Sequence, residues 1–596
     1  MAEAGNTLEL GLIGNCTISA LIDRQARIVW SCFPRLDGDP IFSRLLDDDQ
    51  DRGFFGIELD GAVRSEQSYL AHTAVLVTRL LDAEGDGIEI TDFCPRYMHF
   101  GRAFRPTTIV RMVRPFGKAP RVRIVLRPHF AYGGQEPQFS RGSNHVSYVG
   151  SEHSLRLTTN APIVYVIDAT PFRLEEPLAL ILGPEESLRA PVTDTAREFF
   201  ENTVDYWRSL TLRLNVPFEW QETVIRSAIT LKLCSFEETG GIVAAITTSV
   251  PEAEGEGRNW DYRYCWLRDS LFVVRALNRL GYIETMEDYL VYLQNIVDTS
   301  PDGYLQPVFG LALEAYLPER TIDTLAGYRK NRPVRAGNQA YEHLQHDGYG
   351  SVVLAASQAF FDTRLRRPAG RHTFAALERV GEQAYARYAT PDAGLWEFRT
   401  LARVHTHSAV MCWAAAERLA RIARHLGLGE RTELWRGRAD EMHETILTRA
   451  WNPELNTFVS SFEGDGLDAS LLLLAEVGFV ASHDPRFVAT VQAIEARLKD
   501  GPFLRRYDHA DDFGQPRNAF LVCSFWYIEA LASMGRRDEA RELFDQLLPY
   551  ANHVGLLAEH VDPRSGELWG NFPQTYSHVG LIHCAMRLSK AWEEVV

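Results

Sequence analysis

The stretch "RNWDYRYCWLRDSLFVVRAL" (258–277) changes character halfway along. Residues 258–270 hold four aromatics, three arginines and two aspartates, too polar for a core and too aromatic for a solvated loop. From Ser270 on, apolar residues recur at helical spacing. A chemically loaded loop therefore runs straight into a helix.

That arrangement repeats through the rest of the chain. Helical periodicity marks approximate segments 221–238, 268–281, 284–298, 347–363, 372–390, 406–427, 430–447, 467–477, 486–499, 517–535, 537–551 and 575–593. After the segments ending near 281, 427 and 535 the next helix begins within a few residues. Before those starting near 268, 347, 406, 517 and 575 come long linkers with unusual residues. Short connections join antiparallel neighbours, whereas long structureless ones are usually functional. A dozen antiparallel helices with long loops on alternate connections place all those loops at one end. The expected fold is an (α/α)6 toroid in which six inner helices open on one shared pit.

Residues 1–192 have a different period. "HTAVLVTRLL" (72–81), "RVRIVLRP" (121–128) and "SLRLTTNAPIVYVID" (154–168) are rich in Val, Ile, Leu and Thr and are separated by polar turn residues such as "GGQEPQ" (133–138). Short strands of this kind predict an antiparallel β-sandwich. "TDTAREFFENTVDYWRSL" (193–210) reads as a linking helix, so the expected organisation is a sandwich over 1–192, a helical linker over 193–216 and the barrel over 217–596.

Composition narrows the function. The 596 residues carry a formal net charge of −17 and no basic run stands out, which argues against a nucleic-acid partner. The eight cysteines stand alone without a CxxC pair and several lie in apolar runs, the usage of a reducing compartment. The start "MAEAGNTLELGLIGN" lacks a basic region followed by an apolar one, and no apolar run reaches the roughly 18–20 residues of a membrane span. A cytoplasmic protein without a membrane partner is expected. Oligomeric state is not readable.

Three loops hold the chemical candidates. In the first, Arg268 and Asp269 sit at the first turn of a helix. The plain reading is a helix cap and its neighbour; the chemical one is a clamp on adjacent sugar hydroxyls, with Trp260, Tyr262, Tyr264 and Trp266 offering faces to the ring's C–H surface. In "PDAGLWEFRT" (391–400), Glu397 follows Trp396, and a carboxyl beside an indole can lose solvation and keep its proton as a general acid requires. In "GLLAEHVDPRSGELWGNFPQTYSH" (555–578), Glu559 leads into the last helix. Either glutamate alone would pass for a surface residue. Both precede alternate helices, however, so both should open on the same pit, and two carboxyls across a hydroxyl-binding pocket are what glycoside hydrolysis requires. His405, His407, His560, His578 and His583 raise a metal reading, but no HExxH or compact Cys/His set is present. No metal or organic cofactor is expected.

Taken together, "IGNCTISALIDRQARIVWSCFPRLDGDPIFSRLLD" (13–47), "YRYCWLRDS", "GLWEFR", "HTHSAVMCW", "AFLVCSFW" and "LLAEHVDPRSGELWGNFPQTYSH" resemble glycoside hydrolase family 15, the glucoamylase and bacterial trehalase-like enzymes, in the family's order. The resemblance implies Glu397 as general acid and Glu559 as general base. It implies Arg268 and Asp269 as ligands of a nonreducing-end glucose, with Tyr262 and Trp266 in its wall. "NQAYEHLQHDGYG" (338–350) is similar to the loop near the leaving group, so Asp347 is expected on that side, with Arg329 and Arg335 lining the entrance. Three places depart from the family pattern: Phe398-Arg399-Thr400 after the glutamate, Ala409, and Arg517-Asn518.

The function expected is inverting, exo-acting hydrolysis of a small α-glucoside, with trehalose leading because the N-terminal segment is trehalase-like. A glucoamylase or isomaltose-type α-glucosidase is the runner-up. A phosphorylase, which would need phosphate for turnover, and a noncatalytic sugar-binding protein, which would form no product, are the readings from other classes.

Overall fold

The computed structural model describes residues 6–49 and 51–595. Residues 1–5, on which the expectation of a missing leader partly rests, lie outside the described residues.

Among the described residues, the alternating runs of the first half build two antiparallel sheets, of seven and eight strands. Strand Arg121–Arg127 shows the logic: Val122 and Ile124 face the core while Arg121 and Arg123 face solvent. Leu12, Ile28 and Ile124 of one sheet share a core with Leu76, Ile88 and Leu157 of the other. Arg111, fully buried, crosses between them: its guanidinium pairs with Asp92 at 2.8 Å and donates to the carbonyls of Phe55 and Ala26.

One expected strand is only half a strand. Within 154–168, the strand covers Ser154–Thr159 and a short helix, α1 (Ile163–Ile167), follows. Pro162 stands immediately before the helix with φ −58, a position where its missing N–H costs nothing, and this overrides the β-preference of the Ile-Val-Tyr-Val-Ile run. Helix α2 (Val192–Thr211) then lays Val192, Ala196 and Val204 against Val75, Phe93, Val110 and Ile181 on the outer face of the eight-stranded sheet.

The helical half contains α3 (Gln221–Leu233), α4 (Ser270–Leu280), α5 (Ile283–Asp298), α6 (Asp347–Phe361), α7 (Arg371–Arg387), α8 (Thr406–His425), α9 (Gly429–Arg449), α10 (Leu473–Glu476), α11 (Pro485–Leu498), α12 (Leu521–Ser533), α13 (Arg537–Leu547) and α14 (Thr575–Leu588). The even-numbered helices touch in the cycle α4–α6–α8–α10–α12–α14–α4, and the odd-numbered ones brace them from outside. This is the expected (α/α)6 toroid. Burial follows the ring: α8 is buried all round from Thr406 to Glu417, whereas α13 buries only Ala540, Leu543, Phe544 and Leu547. Gly350 lets α6 and α8 approach closely, since a Cβ there would lie 2.1 Å from the Met411 carbonyl.

Two inner helices begin well after the residue that the periodicity predicts. The fourth inner position, near 467–477, is a 3-10 turn, Ala469–Leu472, continued by α10; Asp468 caps the turn and Gly478, at φ +83, ends the element. Helix α12 starts at Leu521 because Ala519 and Phe520 pair instead with Val561 and His560.

The two halves are joined by buried polar contacts. Arg96 of the sheet domain forms an ion pair with Glu237, which also holds Lys232 of α3. Trp30 donates through Nε1 to the Ile246 carbonyl at 3.0 Å.

Candidate active site

The N-terminal ends of the inner helices surround a cavity of about 940 Å³, counting the space open to solvent at its mouth. Residues from all three candidate loops line it.

The first loop does two jobs by alternation. Trp260, Tyr262 and Trp266 face the cavity, while Asp261 and Arg263 are fully buried on the other side. Arg263 pairs with Asp261 at 2.7 Å and donates to the Gly38 carbonyl at 2.6 Å and the Tyr132 hydroxyl. The loop is thereby anchored to the sandwich. Asp269 occupies the N-cap of α4 but makes no capping hydrogen bond; its buried Oδ1 has no hydrogen bond, and Arg268 Nε forms an ion pair with that oxygen at 3.5 Å. The cap reading fails for this residue.

Glu397 sits in a turn with φ 62, a left-handed conformation that costs a non-glycine residue about 1 kcal/mol or more. Two neighbours from the first loop hold it there. Trp266 Nε1 donates to Glu397 Oε1 at 2.6 Å, and Arg268 Nη1 donates to the same oxygen at 3.2 Å and to the Leu395 carbonyl at 2.8 Å. Trp396 turns the other way, donating to Asp468 at 2.6 Å and joining Tyr507, Phe520 and Trp526 in the aromatic wall.

Glu559 is the more deeply set of the pair, with its side chain 3% exposed against 22% for Glu397. Tyr262 neighbours it, Glu559 being among the charges that raise the Tyr262 pKa after burial, and His560 Nδ1 lies 3.4 Å from its Oε2. Gly570, at φ +80, passes against it so closely that a Cβ would come within 2.7 Å of the Glu559 side chain. Only glycine fits. Tyr262, beside Glu559, and Trp266, bonded to Glu397, stand edge to face with ring centroids 5.3 Å apart. The two carboxyls thus open into one cavity, kept apart by an aromatic pair.

Behind Glu559 is a second carboxylate that sequence reasoning missed. Glu252 takes both arms of the Arg506 guanidinium, at 3.3 and 2.6 Å, and approaches His560 Nε2 at 3.6 Å. Burial works to raise its pKa, but Arg506, His560 and Arg258 hold it below the ordinary value. Also missed were Gln574 and Tyr576 at the start of α14: Gln574 Oε1 and the Tyr576 hydroxyl are buried, line the cavity and have no partner. Their place immediately before or at the N-terminus of an inner helix was the available signal.

Three expected positions need correction. Asp347, expected near the leaving group, lies instead with the pair expected to hold the glucose. It begins α6, is fully buried, and lies beside Arg268, Asp269 and Glu397, with neither carboxylate oxygen hydrogen-bonded; the preceding residues Asn338 and His343 line the cavity instead. An inner-helix N-terminus points to the axis, which puts its first residue deep. Arg329 does not line the entrance: it pairs with Glu567, donates to the Asn6 carbonyl at 2.6 Å and lies over Trp569, tying the two domains together. Arg335 stands behind the wall, 4.5 Å over the Trp260 ring and 3.1 Å from Glu319.

The electrostatics at the closed end are those of three carboxyls around one guanidinium. Burial raises both Asp269 and Asp347 to about 6, with Glu397 adding to the rise and Arg268 opposing it. Burial likewise lifts Asp392, which accepts from Ser408 at 2.8 Å, to about 7. His407 is pushed down to about 3 by burial and then by Arg268. His578 and His583 fall to about 3 for the same first reason, so these three are neutral structural residues at pH 7. Among the described residues, no cluster of three or more His, Cys, Asp or Glu side chains is arranged to hold a metal ion.

The chain matches Glycosyl hydrolases family 15 over residues 220–586 and Trehalase-like, N-terminal over residues 2–170. It is 32% identical to a trehalase of Thermoplasma volcanium, over 98% of this chain and 93% of the relative. It is 31% identical to a trehalase of Mycobacterium tuberculosis, over 97% of this chain and 88% of the relative. Among solved structures, a bacterial glucoamylase complexed with acarbose superimposes with a TM-score of 0.71 at 13% identity, covering 98% of this chain and 94% of that one. That likeness speaks for the fold.

Proposed function

The chain belongs to glycosyl hydrolases family 15 and is a glycoside hydrolase, and from that premise we propose that it cleaves trehalose by an exo-acting, inverting mechanism. The observation that carries the proposal is the entry of Glu397 and Glu559 into one cavity whose closed end holds Arg268 and Asp269. The trehalases among its relatives, matched over nearly the whole chain, support the choice of substrate.

A terminal glucose binds with its hydroxyls on Asp269, Gln574 and Tyr576, whose polar atoms without a hydrogen bond are the groups a sugar would satisfy, and on Arg268 beside them. Glu397 donates its proton to the glycosidic oxygen as the bond to the anomeric carbon breaks. Ionised Glu559 takes a proton from a water that attacks that carbon from the opposite face, so β-glucose and the leaving sugar are released. Inversion calls for carboxyls roughly 6.5–9.5 Å apart to admit the water. The Tyr262–Trp266 pair between the two glutamates supports such spacing.

Arg268 and Asp269 hold the ring as it distorts toward the oxocarbenium transition state, which is where their binding energy raises the rate. A small neutral glucoside suits a chain of net charge −17 that shows no basic stretch for nucleic acid. The eight free, buried cysteines support a reducing, cytoplasmic setting, and among the described residues no helix is long and apolar enough to cross a membrane.

Incubation with trehalose, maltose, isomaltose and maltotriose, with the product anomer followed by NMR, tests the proposal. Trehalose turnover with equal initial amounts of β-glucose, from the attacked ring, and α-glucose, from the leaving ring, is the expected result. α-Glucose alone as the initial product, with no β-glucose, would remove the inverting assignment, and preference for maltotriose would replace trehalose by a glucan.

A further inference from the structure

One part of the cavity wall comes from a segment that none of the three candidate loops contains. Residues 511–514 form a turn closed by backbone hydrogen bonds between Asp511 and Gly514, with Gly514 at φ +94. Asp511, Asp512 and Phe513 line the cavity. Each is tied to a different part of the site. Asp511 accepts from Arg258 Nη2 at 2.5 Å, at the start of the aromatic loop. Asp512 accepts from the backbone N–H groups of Arg399 and Thr400, at 2.6 and 3.1 Å, just beyond Glu397. Phe513 stands edge to face with Trp260, centroids 5.3 Å apart, and the Arg399 guanidinium lies 4.4 Å over the same Trp260 ring.

Depth assigns the turn its place. The Asp269 side chain is 11% exposed and that of Glu397 22%, whereas Phe513, taken as a whole residue, is 41% exposed at the mouth of the cavity. A glucose seated on Arg268 and Asp269 brings its glycosidic bond to the level of Glu397. Whatever leaves must then lie outward, between Trp260 and Phe513. Aromatic faces suit the C–H surface of a sugar, and the charged groups around them suit its hydroxyls.

We propose that the Asp511–Asp512–Phe513 turn roofs the leaving-group subsite: Trp260 and Phe513 hold the leaving sugar, and the turn closes the cavity beyond it, so that the preferred substrate is a disaccharide. The inference rests on the placement of the reaction at Glu397 and Glu559 proposed above.

The test compares kcat/KM on trehalose, maltotriose and α-glucosyl fluoride, whose fluoride does not extend to the rim and so reports the deep half of the cavity. Phe513→Ala should lower the trehalose-to-fluoride ratio at least tenfold, chiefly through KM, and raise maltotriose relative to trehalose. Phe513→Tyr should restore the ratio to within threefold. Should Phe513→Ala fail to fold, Phe513→Leu removes the ring and gives the same ratio test. An unchanged ratio, or equal loss on both substrates, overturns the roof while leaving the hydrolase reading standing. A wild-type protein that cleaves neither trehalose nor the fluoride overturns both.

Discussion

The two glutamate loops solve opposite problems. Glu397 is partly exposed, in a left-handed turn, and is held by side chains from the aromatic loop. Glu559 is almost fully enclosed and is set by main chain: its carbonyl accepts from Leu521, Gly570 presses against its side chain, and the next residue enters a short strand pair. A proton donor must reach the leaving oxygen and be reloaded, so access suits it. A base must meet one water and keep its charge in a fixed direction, so enclosure suits it. The comparison teaches that the cavity is polarised before any sugar enters.

Removing the carboxyls themselves should break the symmetry most visibly. Glu559→Gln should lower kcat on trehalose by about 10³-fold or more, on the scale of lost general-base catalysis, and lower turnover of α-glucosyl fluoride as severely. Glu397→Gln should cost a similar factor on trehalose but far less on the fluoride, which leaves without a proton. Stopped assays with both substrates separate the roles, and equal losses for both variants on both substrates would merge them.

The holders come next. Tyr262→Phe deletes the hydroxyl beside Glu559, and removing a polar neighbour of a charged group, about 1.5–3 kcal/mol, predicts a fall in kcat of about 10- to 100-fold. Trp266→Phe should act on Glu397 instead, so its loss should be larger on trehalose than on the fluoride.

A stability measurement probes the closed end. Asp347 keeps its proton to about pH 6 when folded, against an ordinary value of 3.8. Between those values the folded chain binds more protons than the unfolded one, so stability falls as pH rises through that window. Asp347→Asn removes this penalty and should raise stability at pH 7.5 relative to pH 4.5 by about 1–3 kcal/mol, read from thermal melts at both values. A gain of equal size at both would show that the carboxyl's charge is not the cause.

The smallest effect belongs to Arg335→Ala. The residue touches Trp260 from behind, and its loss should raise KM for trehalose a few-fold with little change in kcat.

Much of the architecture was legible because it rests on local periodicity. Inner helices are apolar around their whole circumference over long runs, Ala409–Ala416 in α8 and most of α12, and outer ones such as α13 only along a stripe, a distinction written in the side chains. Where local preference and tertiary pairing disagreed, the pattern misled: Ala519 and Phe520 look helical but serve as a strand for the Glu559 loop. Asp347 was found as a residue and misplaced in depth, because a motif gives order along a chain and not distance from an axis. Glu252, Arg506 and Phe513 lay in ordinary-looking loops and acquired meaning only by being brought beside Glu559 and Trp260.

By itself, the order of apolar and polar residues determined two domains, a ring of helix pairs and the end of that ring at which chemistry gathers, since helix and strand periods are properties of neighbours in sequence. Which oxygen faces which donor, and whether Arg329 joins a cavity or a domain seam, depended on side chains hundreds of positions apart. Electrostatic and hydrogen-bonding forces act over a few ångströms, and only the folded chain sets those distances.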